Sequence, residues 1–80
     1  MYVVLELEHR VWNGELEYVN SRVFKCNSLE DGLTIIQQKK EETLKRGYFT
    51  EITYETPKTV TFHNGSTHKR YVLEEVEEIR

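Results

Sequence analysis

Residues 28–47, SLEDGLTIIQQKKEETLKRG, have the pattern of an amphipathic helix with a defined beginning and end. Ser28 is a good N-cap and fits a capping box with Asp31, and Asn27 with Glu30 fits the same motif. The last turn is basic, and Gly47 can adopt the left-handed conformation in which many helices end. The sequence therefore predicts a helix over this segment.

The apolar side chains of this helix lie on one stripe, formed by Leu29, Leu33, Ile36 and Leu44. Lys40 falls between them, where its methylene stem can cover apolar surface while the amine reaches water. The opposite side of the helix is polar, so we expect the stripe to pack on a sheet. Gly32 costs about 1 kcal/mol relative to alanine inside a helix. It either allows a strand to approach closely or is simply tolerated.

The segment before the helix has the pattern of a β-hairpin. Tyr2–Trp12 and Glu15–Cys26 are predicted strands, and Asn13-Gly14 between them is a strong signal for a two-residue type I′ turn. This register places Arg10 opposite Glu17 as a cross-strand ion pair. The hairpin is therefore predicted in detail, including its turn.

Alternation along the first strand suggests which of its sides faces the core. The even positions carry three charges, so we expect the odd set to face inward: Val3, Leu5, Leu7, His9 and Val11. The same register would then bring Asn20 and Arg22 inward on the second strand. Because this is unfavourable, we expect a β-bulge between Val19 and Val23 that shifts the alternation and turns Val23 inward.

Three further strands are predicted after the helix, over Tyr48–Thr56, Lys58–His63 and Lys69–Ile79. Pro57 ends the first of them, and Asn64-Gly65 is a second hairpin signal. Val60 and Phe62 should point inward. The order is β-β-α-β-β-β, which predicts one small α+β domain over residues 1–80, an antiparallel sheet with one helix packed on one face.

Composition excludes several classes of protein. The chain of 80 residues has 11 basic and 14 acidic side chains, a net charge of −3, without the basic excess of an electrostatic nucleic-acid binder. The lone Cys26 rules out a disulfide framework or a cysteine-based zinc site. No apolar run reaches the ~18 residues of a membrane span, and no signal peptide is evident. We expect a cytoplasmic protein, of a host or an infected cell, without membrane attachment.

Catalytic motifs are not found in the sequence. Cys26 with a distant histidine is weak evidence for a nucleophile pair, since any chain of this composition offers as much. His63 and His68 flank the second turn, but a metal site needs further converging ligands. We therefore predict no enzyme activity, no cofactor and no metal.

The main hypothesis is a small protein-interaction module that binds another protein, itself as a homodimer, or both. One helix cannot cover five strands, and Tyr2, Val4, Val19, Trp12 and Phe49 are candidates for the uncovered side. Trp12 is the best single candidate for an interface anchor; the alternative is that it covers the end of a small core. The acidic end is either a docking strip for a basic partner or protection for an outer strand. The predicted partner-binding residues are Trp12, Tyr2, Val4, Glu74, Glu75, Glu77 and Glu78.

A phage or mobile-element accessory protein that inhibits a host or defence protein by occluding its surface is one form of this hypothesis. The alternative is a nucleic-acid or nucleotide-phosphate binder, because one basic cluster lies beside an aromatic residue in the second hairpin. That cluster consists of Lys58, His63, His68, Lys69, Arg70 and Tyr71. An ordinary charged hairpin tip would have the same composition.

Overall fold

The computed structural model describes residues 1–49 and 51–77, and for Tyr18 the backbone only. It confirms the predicted α+β architecture and the β-β-α-β-β-β order. The elements are β1 (Tyr2–Trp12), β2 (Glu15–Cys26), α1 (Leu29–Arg46), β3 (Glu51–Thr56), β4 (Thr59–Asn64) and β5 (Thr67–Glu75). All neighbouring strands are antiparallel, in the order β2-β1-β5-β4-β3. Thr50 and the end of the predicted last strand, residues 78–80, lie outside the described residues.

Both ends of α1 are capped as predicted. The Ser28 hydroxyl accepts a hydrogen bond from the backbone N–H of Asp31 at 3.2 Å. Gly47 has a φ of 75°, and its N–H donates to the Leu44 carbonyl at 3.2 Å. These contacts satisfy backbone groups that the helix itself leaves without partners.

The face of α1 that packs on the sheet differs from the predicted stripe at its C-terminal end. Ile36 is buried, but Leu44 is 42% exposed, and Thr43 is buried in its place. Thr43 tolerates this position because its hydroxyl donates to the Lys39 carbonyl at 2.7 Å. Lys40 reaches past the sheet edge to pair with Glu55 of β3.

Gly32 marks the closest approach between helix and sheet. A Cβ atom at this position would lie 2.4 Å from Cδ1 of Leu73, which is well inside van der Waals contact. The close-approach explanation of this glycine is therefore the correct one.

The first hairpin forms as predicted. Asn13 and Gly14 both have positive φ values, 51° and 79°, which suits a type I′ turn. The guanidinium Nη2 of Arg10 lies 3.6 Å from a carboxylate oxygen of Glu17. The register shifts where Val19 is inserted between residues 18 and 20, so a bulge is present at the first residue of the predicted interval. The expected inward turn of Val23 is wrong, because Val23 stands opposite Leu5 away from the core and is 61% exposed.

The prediction that the odd residues of β1 face the helix is wrong. Val4 is fully buried under α1 and Glu6 is 6% exposed, whereas Leu5 and Leu7 lie on the other side of the sheet. The charge on Glu6 does not keep it out of the core because the core supplies partners. The Tyr71 hydroxyl donates to one Glu6 carboxylate oxygen at 2.6 Å.

The hydrophobic core lies between α1 and the three central strands. Val60 and Phe62 point inward as predicted, and both are fully buried with Val4. Phe49, predicted as a candidate for the uncovered side, is also buried in this core, so that prediction is wrong. The second hairpin has Gly65-Ser66 as its loop, one residue later than predicted, since Asn64 still pairs with Thr67.

Candidate interaction surface

The side of the sheet opposite α1, which we call the open face, presents residues from all five strands. Alternation and register place them in rows across the sheet. The open face comprises Val3, Leu5, Leu7, His9 and Val11 of β1; Leu16, Ser21, Val23 and Lys25 of β2; His68, Arg70, Val72 and Glu74 of β5; Thr59, Thr61 and His63 of β4; and Glu51, Tyr54 and Thr56 of β3.

Large apolar side chains are concentrated on the β1–β2 half of the open face. Leu16 and Val23 are 68% and 61% exposed, and they stand opposite Val11 and Leu5 on the neighbouring strand. Leu5 is itself only partly buried. Scattered single apolar residues are normal on a protein surface, but contiguous ones mark an interaction site. On the β1–β2 half of the open face, the apolar residues are contiguous.

All three histidines of the chain lie in one row across the open face. His9 of β1 pairs with His68 of β5, which pairs in turn with His63 of β4. The rings of His63 and His68 have centroids 4.7 Å apart. The row ends at Glu51 on β3, whose carboxylate oxygen lies 3.3 Å from Nδ1 of His63. Nothing in the linear sequence suggested this alignment, because it depends on β1 and β5 being neighbours.

A shallow depression of about 290 Å³ lies on the open face where the apolar half meets the histidine row. Its lining residues are Leu7, His9, Leu16, Thr61, His68 and Arg70. Arg70 is held in place by a hydrogen bond from Nε to the Thr61 hydroxyl, 3.2 Å long. The depression could receive one side chain of a partner, with apolar contact on one wall and hydrogen bonding on the other.

Metal binding is not supported by the arrangement of the histidine row. Within residues 1–49 and 51–77, no group of three or more histidine, cysteine or carboxylate side chains is arranged to hold a metal ion. His63 directs Nδ1 to the Glu51 carboxylate instead.

The predicted anchors of the first strand have different outcomes. Trp12 is 63% exposed at the end of β1 and is available to a partner. Val4 is fully buried in the core, and Tyr2 packs against that core from the helix side. Val4 therefore cannot contact a partner in this fold. Tyr2 and Trp12 alternate to the same side of β1 as Val4, so the placement of all three on the uncovered side is wrong. The cause is the reversed facing of β1.

The acidic residues lie at one end of the sheet. Glu74 and Glu75 are exposed at the end of β5, and Glu77 is exposed after it. Glu78 lies outside the described residues. Because β5 is the central strand, these glutamates do not protect an outer strand, and that explanation is wrong for them. Docking of a basic partner at this end stays a prediction.

The predicted basic cluster is divided between the two sides of the sheet. Lys69 and Tyr71 face α1, where Nζ of Lys69 lies 3.6 Å from a Glu6 oxygen and the Tyr71 ring is buried. His63, His68 and Arg70 face the other way. The remaining member, Lys58, sits in the β3–β4 loop at the opposite end of β4 from His63. The six residues therefore do not form one phosphate-binding surface, and that part of the alternative is wrong.

Glu6 lies at the centre of a buried polar cluster that sequence reasoning missed. Besides the Tyr71 hydroxyl, its carboxylate has Nε of Arg22 at 3.3 Å and Nζ of Lys69 at 3.6 Å. Burial, and next the hydrogen bond to Glu6, raise the pKa of Tyr71 well above its ordinary range. A tyrosine that holds its proton so firmly is a poor general base at neutral pH.

Cys26 does not have the environment of a catalytic thiol. It is buried, and its pKa is raised by burial and then by the charge of Asp31. Reactive cysteines have lowered pKa values, because the thiolate is the nucleophile. The nucleophile-pair hypothesis therefore gains no support from its surroundings.

Wider comparisons add no family assignment. Comparison with family models, with curated proteins and with solved structures found no match. Among the described residues, no helix is both long enough and apolar enough to cross a membrane. The functional argument therefore depends on the geometry of the open face.

Proposed function

We propose that this protein is a non-enzymatic interaction module that binds a protein surface through its open face. The observation that carries the proposal is the pair of exposed cross-strand contacts, Leu5 with Val23 and Val11 with Leu16. Burying the exposed part of Leu16 and Val23 would contribute about 1–2 kcal/mol each. An apolar surface of this kind is unfavourable in water unless a partner covers it.

The sheet makes the open face a preorganised binding surface. Every open-face side chain projects from a strand of the sheet. The three internal strands, β1, β5 and β4, are paired on both sides, and the long edge strand β2 is paired with β1 along its length. A rigid surface loses little conformational entropy when it binds. Trp12 is exposed at the end of β1, but it alternates toward the helix side and therefore does not belong to this surface.

Binding through a flat face without a catalytic cluster would act by covering a partner's surface. This is the behaviour expected of an inhibitor that occludes a functional site, including one made by a phage or mobile element against a host or defence protein. A nucleic-acid partner is less favoured, because Lys69 and Tyr71 contact Glu6 instead of solvent.

Site-specific photo-crosslinking would test the proposal. A benzophenone amino acid is placed at Val23 on the open face, with Leu44 on α1 as the matched control. Both positions are exposed and apolar, so the two variants should fold equally well. We expect protein adducts from position 23 in cells that make the protein, and few from position 44. Absence of adducts at 23, or equal yields at both positions, would contradict the proposal.

A further inference from the structure

We infer that the partner of the open face is a second copy of this chain, packed face to face as a two-fold homodimer. This inference rests on the proposed function and names its partner; in such a dimer, an inhibitor would contact its target through surfaces other than the open face, such as the acidic end at Glu75 and Glu77. It is supported by the distribution of apolar residues, by charge and by size.

The apolar residues are placed to suit a self-complementary contact. A two-fold interface brings the same patch of both subunits together. On the open face, the patch formed by Leu5, Leu7, Val11, Leu16 and Val23 occupies two adjacent strands, β1 and β2. A two-fold axis at these strands would pack the apolar half of one copy on the apolar half of the other. The threonine-rich half, on β4 and β3, would form a polar rim, as in ordinary interfaces.

Charge also favours a second copy. The open face carries two basic residues, Lys25 and Arg70, and two acidic residues, Glu51 and Glu74. It is therefore neutral when its histidines are uncharged, although the whole chain has a net charge of −3. Two copies can approach through this face without net repulsion, whereas a strongly basic or acidic partner would find no complementary charge.

The projected area of the open face approaches the area that a stable dimer buries on each subunit. Five strands spaced about 4.8 Å apart, each contributing three to five outward residues, give a projected area of about 600 Å². The accessible surface area is larger, because the side chains make the surface uneven. A standard interface buries about 800 Å² of accessible surface per partner. Sheet faces pack well on one another at a separation of about 10 Å, so the flat surface matches its own copy.

Light scattering after size exclusion tests this inference on the full chain. We expect a mass of about twice 9.6 kDa that persists in high salt, since the contact is mainly apolar. The double variant Leu16→Glu, Val23→Glu should reduce the mass to that of a monomer while the circular dichroism spectrum stays unchanged. The control double variant Gln38→Glu, Leu44→Glu adds the same two negative charges at exposed positions of α1 and should remain dimeric. A wild-type monomer at millimolar concentration, or a dimer that survives in the folded double variant, would refute the inference.

A measurement on the unmodified protein guards against misfolding of the double variant. On dilution, the methyl resonances of Leu5 and Val23 should shift, whereas those of buried Val60 should not. Shifts confined to other surfaces would refute the open-face dimer. The two proposals remain distinguishable, because a monomer that still forms adducts from position 23 with another protein loses only the dimer. A monomer without such adducts loses both.

Discussion

The buried contact between Tyr71 and Glu6 provides a prediction about stability at alkaline pH. The Tyr71 hydroxyl donates to the Glu6 carboxylate at 2.6 Å, and both side chains are buried under α1. Tyr71→Phe removes the donor and leaves the carboxylate with Arg22 and Lys69 as partners. Since a hydrogen bond to a charged group contributes about 1.5–3 kcal/mol, we expect the free energy of unfolding at pH 7 to fall by that amount.

The difference between the two proteins should shrink as the pH rises. Burial and the bond to Glu6 raise the pKa of Tyr71 in the folded protein, whereas in the unfolded chain it is near its ordinary value of 10.0. The resulting stability is complete below pH 10 and is lost as pH increases toward the folded value. At pH 11 the unfolded wild-type chain gains about 1.4 kcal/mol by ionising this tyrosine. The Tyr71→Phe variant has no hydroxyl to ionise at this position, so its free energy of unfolding does not fall for this reason.

Urea unfolding followed by circular dichroism, from pH 7 to pH 11, measures this difference. Tyr54→Phe is the matched control, because Tyr54 is exposed and its substitution should leave the pH profile unchanged. Lysines and the other tyrosines ionise in both proteins, so their effects cancel in the comparison. If wild type and Tyr71→Phe lose stability in parallel between pH 9 and pH 11, the structural account of Tyr71 is wrong.

Three other predictions concern the helix and its surroundings. Gly32→Ala should lower the free energy of unfolding by up to about 2 kcal/mol, because the clash with Leu73 outweighs a gain of about 1 kcal/mol in helix propensity; a raised melting temperature would contradict this. Ser28→Ala should cost about 1 kcal/mol in urea unfolding, since Asp31 loses its capping acceptor, and Ser28→Asp should restore it. Cys26 should react with a thiol reagent at least about tenfold more slowly in the folded protein than in urea, because burial raises its pKa; equal rates would exclude this.

Local features of the fold were predictable because their causes lie within a few residues. The limits of α1 follow from Ser28 and Gly47, which satisfy backbone groups at its two ends. The first hairpin follows from Asn13-Gly14, which tolerate positive φ. A bulge was also predicted, but for a wrong reason, because the bulge at Val19 brings Arg22 to the covered side, opposite Glu6.

Features that depend on strand order were not predictable. β1 and β5 are separated by the whole chain and yet are neighbours, so the bond from Tyr71 to Glu6 spans 65 positions. The histidine row requires the same neighbours. The division of the basic cluster also follows from alternation along β5, which sends Lys69 and Arg70 to opposite sides of the sheet.

The wrong assignment of the core side of β1 supports an interaction role for the open face. In a sheet covered on one side, the covered side of a strand is normally the more apolar one. In β1 the reverse holds, because Glu6 and Glu8 alternate toward the helix side while Leu5 and Leu7 alternate toward the open face. On the helix side, the Glu6 carboxylate is accommodated because Tyr71, Arg22 and Lys69 are its partners. A strand with its more apolar side turned away from the only described helix is the arrangement expected if a second layer covers the open face, which is what the proposed interaction would supply.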